Sequence, residues 1–209
     1  MWYTILIDHL CLHWGLCFIS YMIDNIISPK KLPKRTAIPK NILSVVLFNQ
    51  ICVTLPVLYI VTDWFPLGYI LDLTNLIKLP TAILLTEVIF YYVHQAFHTV
   101  PFLIKLHALH HEITGPFTLA TFYCHPVEML AGNLAPFIIA GKLAGLNFQT
   151  MRLWHFIAVF NTMISAHGGY QAFNSTHDQH HKNKTHTYGL IGLMDYIHQT
   201  DKKNKKGAD

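Results

Sequence analysis

The chain has 209 residues, of which 52% are hydrophobic, 13% aromatic and only 12% charged, with a net charge of +4. With a mean hydropathy of +0.33, this composition points to one polytopic membrane domain rather than a soluble enzyme. The small basic excess gathers in short stretches and offers no face for tracking phosphates, which argues against nucleic-acid binding; four cysteines without a CxxC pair argue against a disulfide framework or a zinc ribbon.

In chain order, the apolar run from Met1 to Ile27 lacks a basic leader region and an obvious cleavage site, so it reads as a retained helix. Lys30, Lys31, Lys34, Arg35 and Lys40 follow, interleaved with Pro29, Pro33 and Pro39, which block a continuous helix. By the positive-inside rule this loop faces the cytoplasm. A second span is predicted from about Asn41 to Thr62, ended by Asp63-Trp64-Phe65-Pro66, and a third from about Asn75 to Val93. The third span brings His94 back to the basic-loop side. Pro101 to Ile113 is too short to cross a bilayer. Val127 to Leu146 and Met151 to Ala166 form either two further spans or a shallower re-entrant pair joined near Asn147 on the far side. The basic tail Lys202 to Lys206 agrees with a cytoplasmic return. The expected fold is therefore an all-α, polytopic membrane bundle of about four spans, or fewer with a re-entrant hairpin. It forms one domain over 1–209, with a cytoplasmic histidine-rich cap and a core of histidine boxes over about 87–201.

Histidines dominate that core. His94 and His98 are four residues apart and share one face of a helix, within reach of a common metal ion. His107, His110 and His111 repeat offsets of three and four, and His177, His180 and His181 reproduce the same HxxHH pattern. Imidazole suits Zn, Fe, Cu and Ni, so the boxes predict a metal centre without naming the metal, and their number exceeds what one ion can use. Two ions with an open position for oxygen or water use them all. His9 and His13 share the HxxxH spacing but lie in the first span, and His155, His186 and His198 fall outside any box. A carboxylate close to a ligand, such as Glu112 or Glu128, can accept the second N–H of an imidazole and fix its tautomer. Aromatic residues near the boxes, among them Tyr91, Tyr92, Phe97, Phe117, Phe122 and Tyr123, either line a substrate route or form an interfacial belt.

The segments His94-Gln-Ala-Phe-His98, Lys105-Leu-His107-Ala-Leu-His110-His111-Glu112, His125-Pro-Val-Glu128, Ala166-His167-Gly-Gly-Tyr170, His177-Asp-Gln-His180-His181 and Tyr188-Gly189 through Asp195 to Thr200-Asp201 resemble the fatty acid hydroxylase/sterol desaturase superfamily. Within it the chain looks most like the C4-methylsterol oxidases (methylsterol monooxygenases), although Gln95 stands where those enzymes commonly carry Arg. The resemblance implies a non-haem di-iron oxidoreductase in the endoplasmic reticulum membrane. It implies ten ligands, with His125 and His167 joining His94, His98, His107, His110, His111, His177, His180 and His181. The implied reaction is O2-dependent hydroxylation or desaturation of a lipid, with electrons from NAD(P)H through cytochrome b5 or a similar carrier. Zinc could replace iron on overexpression. The expected substrate is a sterol such as a 4-methylsterol, reaching the metals past Phe117, Leu119, Phe122 and Tyr123. A fatty-acyl or sphingolipid hydroxylase is the alternative within the superfamily. A histidine-rich membrane metal transporter or metal-binding protein is the alternative of another class.

Overall fold

The computed structural model describes residues 2–23, 38–69, 73–115, 117–168 and 176–201. Lys30, Lys31, Lys34, Arg35, Tyr170 and the basic tail, on which the expected orientation partly rests, lie outside them. The described residues form helices without strands, as the sequence leads one to expect. Among the described residues, three helical stretches are long and apolar enough to cross a membrane: Tyr3–Met22, Ile42–Trp64 and Leu73–Thr99.

The first is α1 (Trp2–Met22). The second joins α2 (Ile42–Phe48) to α3 (Leu55–Val61) through a π turn, Asn49–Thr54. Pro56 lacks an N–H and its ring would crowd the carbonyl of Cys52, so the helix widens just before it, and the amide of Leu55 bonds Gln50, five residues back. After α4 (Leu73–Leu76), α5 (Leu79–Thr99) starts with Pro80 in its first turn, where no N–H is needed. It stops at Val100, held extended by Pro101, which opens α6 (Pro101–His107). This break folds α6 back against α5 and brings the second histidine box over the first.

The late hairpin begins with a single turn, α7 (Pro126–Glu128), and widens into a second π turn, Met129–Leu134, ahead of Pro136. It continues as α8 (Ala135–Leu143) and returns as α9 (Phe148–Phe160) and a third π turn, Asn161–Ala166. Gly145, at φ +70°, makes the turn, and the Asn147 side chain caps α9 by accepting from Thr150 N at 2.8 Å. Phe148 N donates to Pro66 O at 2.8 Å and Lys78 Nζ to Gly145 O at 3.0 Å. The hairpin tip thus sits at the bundle end where the second and third spans connect, and the hairpin runs from the histidines to that end. α8 packs on α5, and α9 on α1. Arg152 Nε donates to Asp8 Oδ2 at 2.6 Å across the α1–α9 contact. The chain closes with α10 (Thr176–Asn183) and α11 (Leu193–Ile197).

Candidate metal centre

Nine histidines converge at one end of the bundle in two groups. His94, His98, His107, His111 and His180 form the first, and His110, His167, His177 and His181 the second; within each group the ligating nitrogens lie within 4.8 Å of one another. The groups abut, with the rings of His111 and His181 4.7 Å apart between centroids.

The tautomers follow from what each Nδ1 faces. His94 Nδ1 stands 2.9 Å from Tyr188 O, His167 Nδ1 2.8 Å from Thr162 O, and His181 Nδ1 2.9 Å from Ile113 O. His180 Nδ1 stands 2.6 Å from His186 O and His110 Nδ1 3.4 Å from Tyr123 O. A carbonyl only accepts, so each Nδ1 donates and each neutral ring keeps its lone pair on Nε2. His107 Nδ1 lies 2.9 Å from Glu128 Oε1, in a buried pair. The Nε2 atoms then point at one another. His107 Nε2 is 3.0 Å from both His98 Nε2 and His111 Nε2, and the last two are 3.3 Å apart. In the second group His177 Nε2 is 3.1 Å from His167 Nε2 and 3.0 Å from His181 Nε2.

Facing lone pairs repel unless a cation lies between them. Nitrogens about 2.1 Å from one ion stand about 3.0 Å apart at right angles and about 3.4 Å apart in a tetrahedron. The observed separations match this range. His180 Nε2, buried without a hydrogen-bond partner, completes the first group. Burial, with neighbouring imidazoles, holds His110, His177 and His181 well below the usual histidine range, and lowers His107 to about 3 and His167 to about 4. Neutral imidazoles are the form that binds metal. The donor set therefore fits two nitrogen-bound transition-metal ions.

Several expected site residues are placed elsewhere. His125 belongs to neither group; its Nδ1 accepts from Val127 N at 3.2 Å and caps the short α7. Glu112 is exposed and reaches no ligand; its Oε2 accepts from Tyr123 Oη at 2.9 Å. Phe117, Phe122 and Tyr123 are core residues with Leu119 packed against them, and none of the four lines the cavity beside the histidines. The reason is α1: His9 and His13 stack on Phe122, which closes that side of the bundle. His9 and His155 meet each other rather than a box, with Nδ1 and Nε2 3.2 Å apart. His198 packs against Tyr91 and contacts Tyr92 Oη at 3.0 Å.

The cavity, of about 350 Å³, lies between α5, the late hairpin and the segment after α10. His94, His107, His110, His167 and His177 form one end of it, while Phe90, Phe97, Pro136, Phe137, Ala158, Leu190 and Ile191 supply apolar walls. Two buried carboxylates hold its rim. Glu87 accepts from the amides of Leu190, Ile191 and Met194 at 2.6, 2.9 and 3.0 Å. Asp195 accepts from Tyr188 N, Gly189 N and Thr200 Oγ1 at 2.8, 2.9 and 2.7 Å. Together they fix the segment whose Tyr188 carbonyl orients His94. A Cβ on Gly189 would lie 2.5 Å from Glu87 Oε1, so only glycine fits there. In the sequence Asp195 stood out only as part of a motif and position 87 only as the start of the histidine core; the signal was a pair of acids in apolar surroundings.

Comparison with known proteins agrees with this site. The profile of the fatty acid hydroxylase family matches residues 79–200, which hold every histidine of both groups. The chain is 33% identical to fatty acid hydroxylase domain-containing protein 2 of Macaca fascicularis, over 75% of this chain and 50% of that protein. It is 29% identical to very-long-chain aldehyde decarbonylase GL1-11 of rice, over 93% and 83%, and 31% identical to methylsterol monooxygenase 2-2 of Arabidopsis thaliana, over 57% and 50%. The chain spans about half the length of the macaque relative. No solved structure matches it. With its all-α membrane bundle, its paired histidine groups and a profile match over more than half its length, the chain belongs to the fatty acid hydroxylase family.

Proposed function

We propose that the chain is a membrane di-iron oxygenase that oxidises a C–H bond of a lipid with O2, by hydroxylation or desaturation. The observation that carries this reading is the cavity that ends on both histidine groups at once. A transport path would instead string ionisable residues across the bundle.

His94, His98, His107, His111 and His180 would hold one ion and His110, His167, His177 and His181 the other, a set of nine without His125. Bound there, iron supplies the redox chemistry by which O2 and two electrons attack an unactivated C–H bond. Overall, hydroxylation turns R–H, O2, two electrons and two protons into R–OH and water. The chain's residues supply the rest. The carbonyls of Tyr188, Ile113, Thr162, Tyr123 and His186 keep the ligands in the Nδ1–H tautomer, and Glu128 does the same for His107. Phe90, Phe97 and Phe137 exclude water and seat hydrocarbon.

The electrons would come from NAD(P)H through a cytochrome b5-type carrier at the cytoplasmic face of the endoplasmic reticulum. A sterol-like lipid such as a 4-methylsterol is the first substrate to test, with a fatty-acyl or sphingolipid substrate second. The resemblance around the histidine boxes and the methylsterol monooxygenase among the relatives support that order. The decisive experiment is lipid mass spectrometry of cells with and without the chain, together with metal analysis of the purified protein. A lipid that gains oxygen or loses two hydrogens, and two ions per chain, are expected; an unchanged lipidome with one ion or none refutes the reading.

A further inference from the structure

Five neutral polar side chains that belong to neither histidine group line the cavity, Thr86, Asn133, Asn161, Thr162 and Ser165, and three of them, Asn133, Asn161 and Ser165, are not used up within their own helices. Among the described residues Asn161 and Ser165 make no side-chain hydrogen bond, and Asn133 reaches only the Cys124 thiol, at 4.0 Å. Their neighbours behave differently. Thr162 donates to Ala158 O and Thr86 to Ala82 O, both at 2.8 Å, so each hydroxyl is used up within its own helix. All three are half-buried, with polar atoms open to the cavity, so a ligand or water held there can bond to them. Asn133 and Asn161 both sit in π turns, which interrupt the regular helical spacing beside the cavity.

The position of these groups narrows what they bind. At about 1.5 Å per residue, Asn161 lies about 9 Å along its helix from His167, Ser165 about 3 Å, and Asn133 about 8 Å from Glu128. Beyond them the wall is hydrocarbon: Phe90, Pro136, Phe137 and Ala158. Among the described residues no Lys or Arg lines the cavity, and the one acid that does, Glu128, faces His107. A carboxylate or phosphate placed there would lack a counter-charge, whereas a neutral hydroxyl can both donate to and accept from an amide.

We propose that Asn133, Asn161 and Ser165 bind a neutral hydroxyl of the lipid substrate, a few bonds from the carbon presented to the histidine groups. The substrate is then an alcohol-bearing lipid rather than a free fatty acid. This deepens the oxygenase reading and rests on it.

The test measures binding to the metal-loaded full chain in detergent micelles with two matched pairs. One pair is a 4-methylsterol and its 3-deoxy analogue; the other is ceramide and its doubly deoxygenated analogue; palmitic acid is the anionic control. At least one hydroxylated member should bind on the order of tenfold or more tighter than its partner. Asn133→Leu and Asn161→Leu should each shrink that ratio to about threefold or less, leaving the affinity of the deoxy analogue and the metal content unchanged. Ser165→Ala, a smaller change, should shrink it in the same direction if a leucine variant fails to fold. Equal affinity within both pairs, no binding of either pair, a preference that survives all three substitutions, or tighter binding of palmitate overturns the proposal. Metal content separates the two readings: a hydroxyl preference in a chain that holds no metal would sink the oxygenase and with it the assignment of that lipid as substrate, whereas two ions without a hydroxyl preference would sink this proposal alone.

Discussion

Glu87→Ala tests whether the rim of the cavity is held by its buried carboxylates. The substitution leaves three amides without an acceptor. Met194 N is buried, while Leu190 N and Ile191 N are only partly so and can recover a bond to water. An unmet buried donor costs about 1–3 kcal/mol. One full and two partial penalties come to about 3 kcal/mol, on the order of a hundredfold more frequent opening of the rim. Amide exchange across residues 188–195 should accelerate by that factor, while exchange in α9 should not change. Opening also takes the Tyr188 carbonyl from His94, and loss of such a partner lowers metal affinity about 10–100-fold. Glu87→Gln keeps an oxygen for Leu190 and Ile191 but turns an NH2 towards Met194 N, so it should fall between wild type and alanine. Unchanged exchange at 188–195 in the alanine variant would refute the reasoning.

Metal analysis of His110→Ala and His180→Ala should show loss of one ion each, from different groups, whereas His9→Ala and His198→Ala keep both; equal loss in all four would break the assignment. Glu128→Leu should weaken binding about 10–100-fold, because the buried carboxyl oxygen that faces His107 Nδ1 at 2.9 Å is lost; a metal titration with unchanged affinity would contradict that. Acidification should destabilise the metal-free chain. His107 and His167, at about 3 and about 4 when folded, stay neutral where unfolded histidines charge, so the unfolded state binds more protons. Stability is then full above about pH 6.5 and falls, by up to about 1.4 kcal/mol per pH unit and histidine, as pH drops towards 4. Denaturation midpoints that rise over that window would show the sign to be wrong.

The boxes were legible because helical spacing fixes which imidazoles share a face, and because polar residues at metal-ligand offsets are rare in apolar sequence. The number of histidines already called for two ions, but which histidines would gather in which group was not legible. His110 and His111 are sequence neighbours yet serve different groups, since consecutive side chains on a helical turn point about 100–120° apart. His125 looked like a ligand because it precedes Pro-Val-Glu, but that same proline begins a helix whose free amide its imidazole caps. The substrate route was misjudged for want of long-range information. Phe117 to Tyr123 are close to the boxes in sequence, and only the packing of α1 shows that this side is shut. The π turns were invisible to a reading based on 3.6-residue periodicity, although Pro56 and Pro136 marked two of the three.

The division of ligands between early and late parts of the chain sets an order of assembly during synthesis. The first group has four of its five histidines by residue 111 and lacks only His180; the second has only His110 until His167, His177 and His181 are made. A nascent chain that has finished α6 already holds most of one binding site. Its second site begins to exist only when the hairpin has returned and α10 has docked. Occupancy of the two positions should therefore arise sequentially, and a chain stalled before α10 would retain a single weak ion and no working pair.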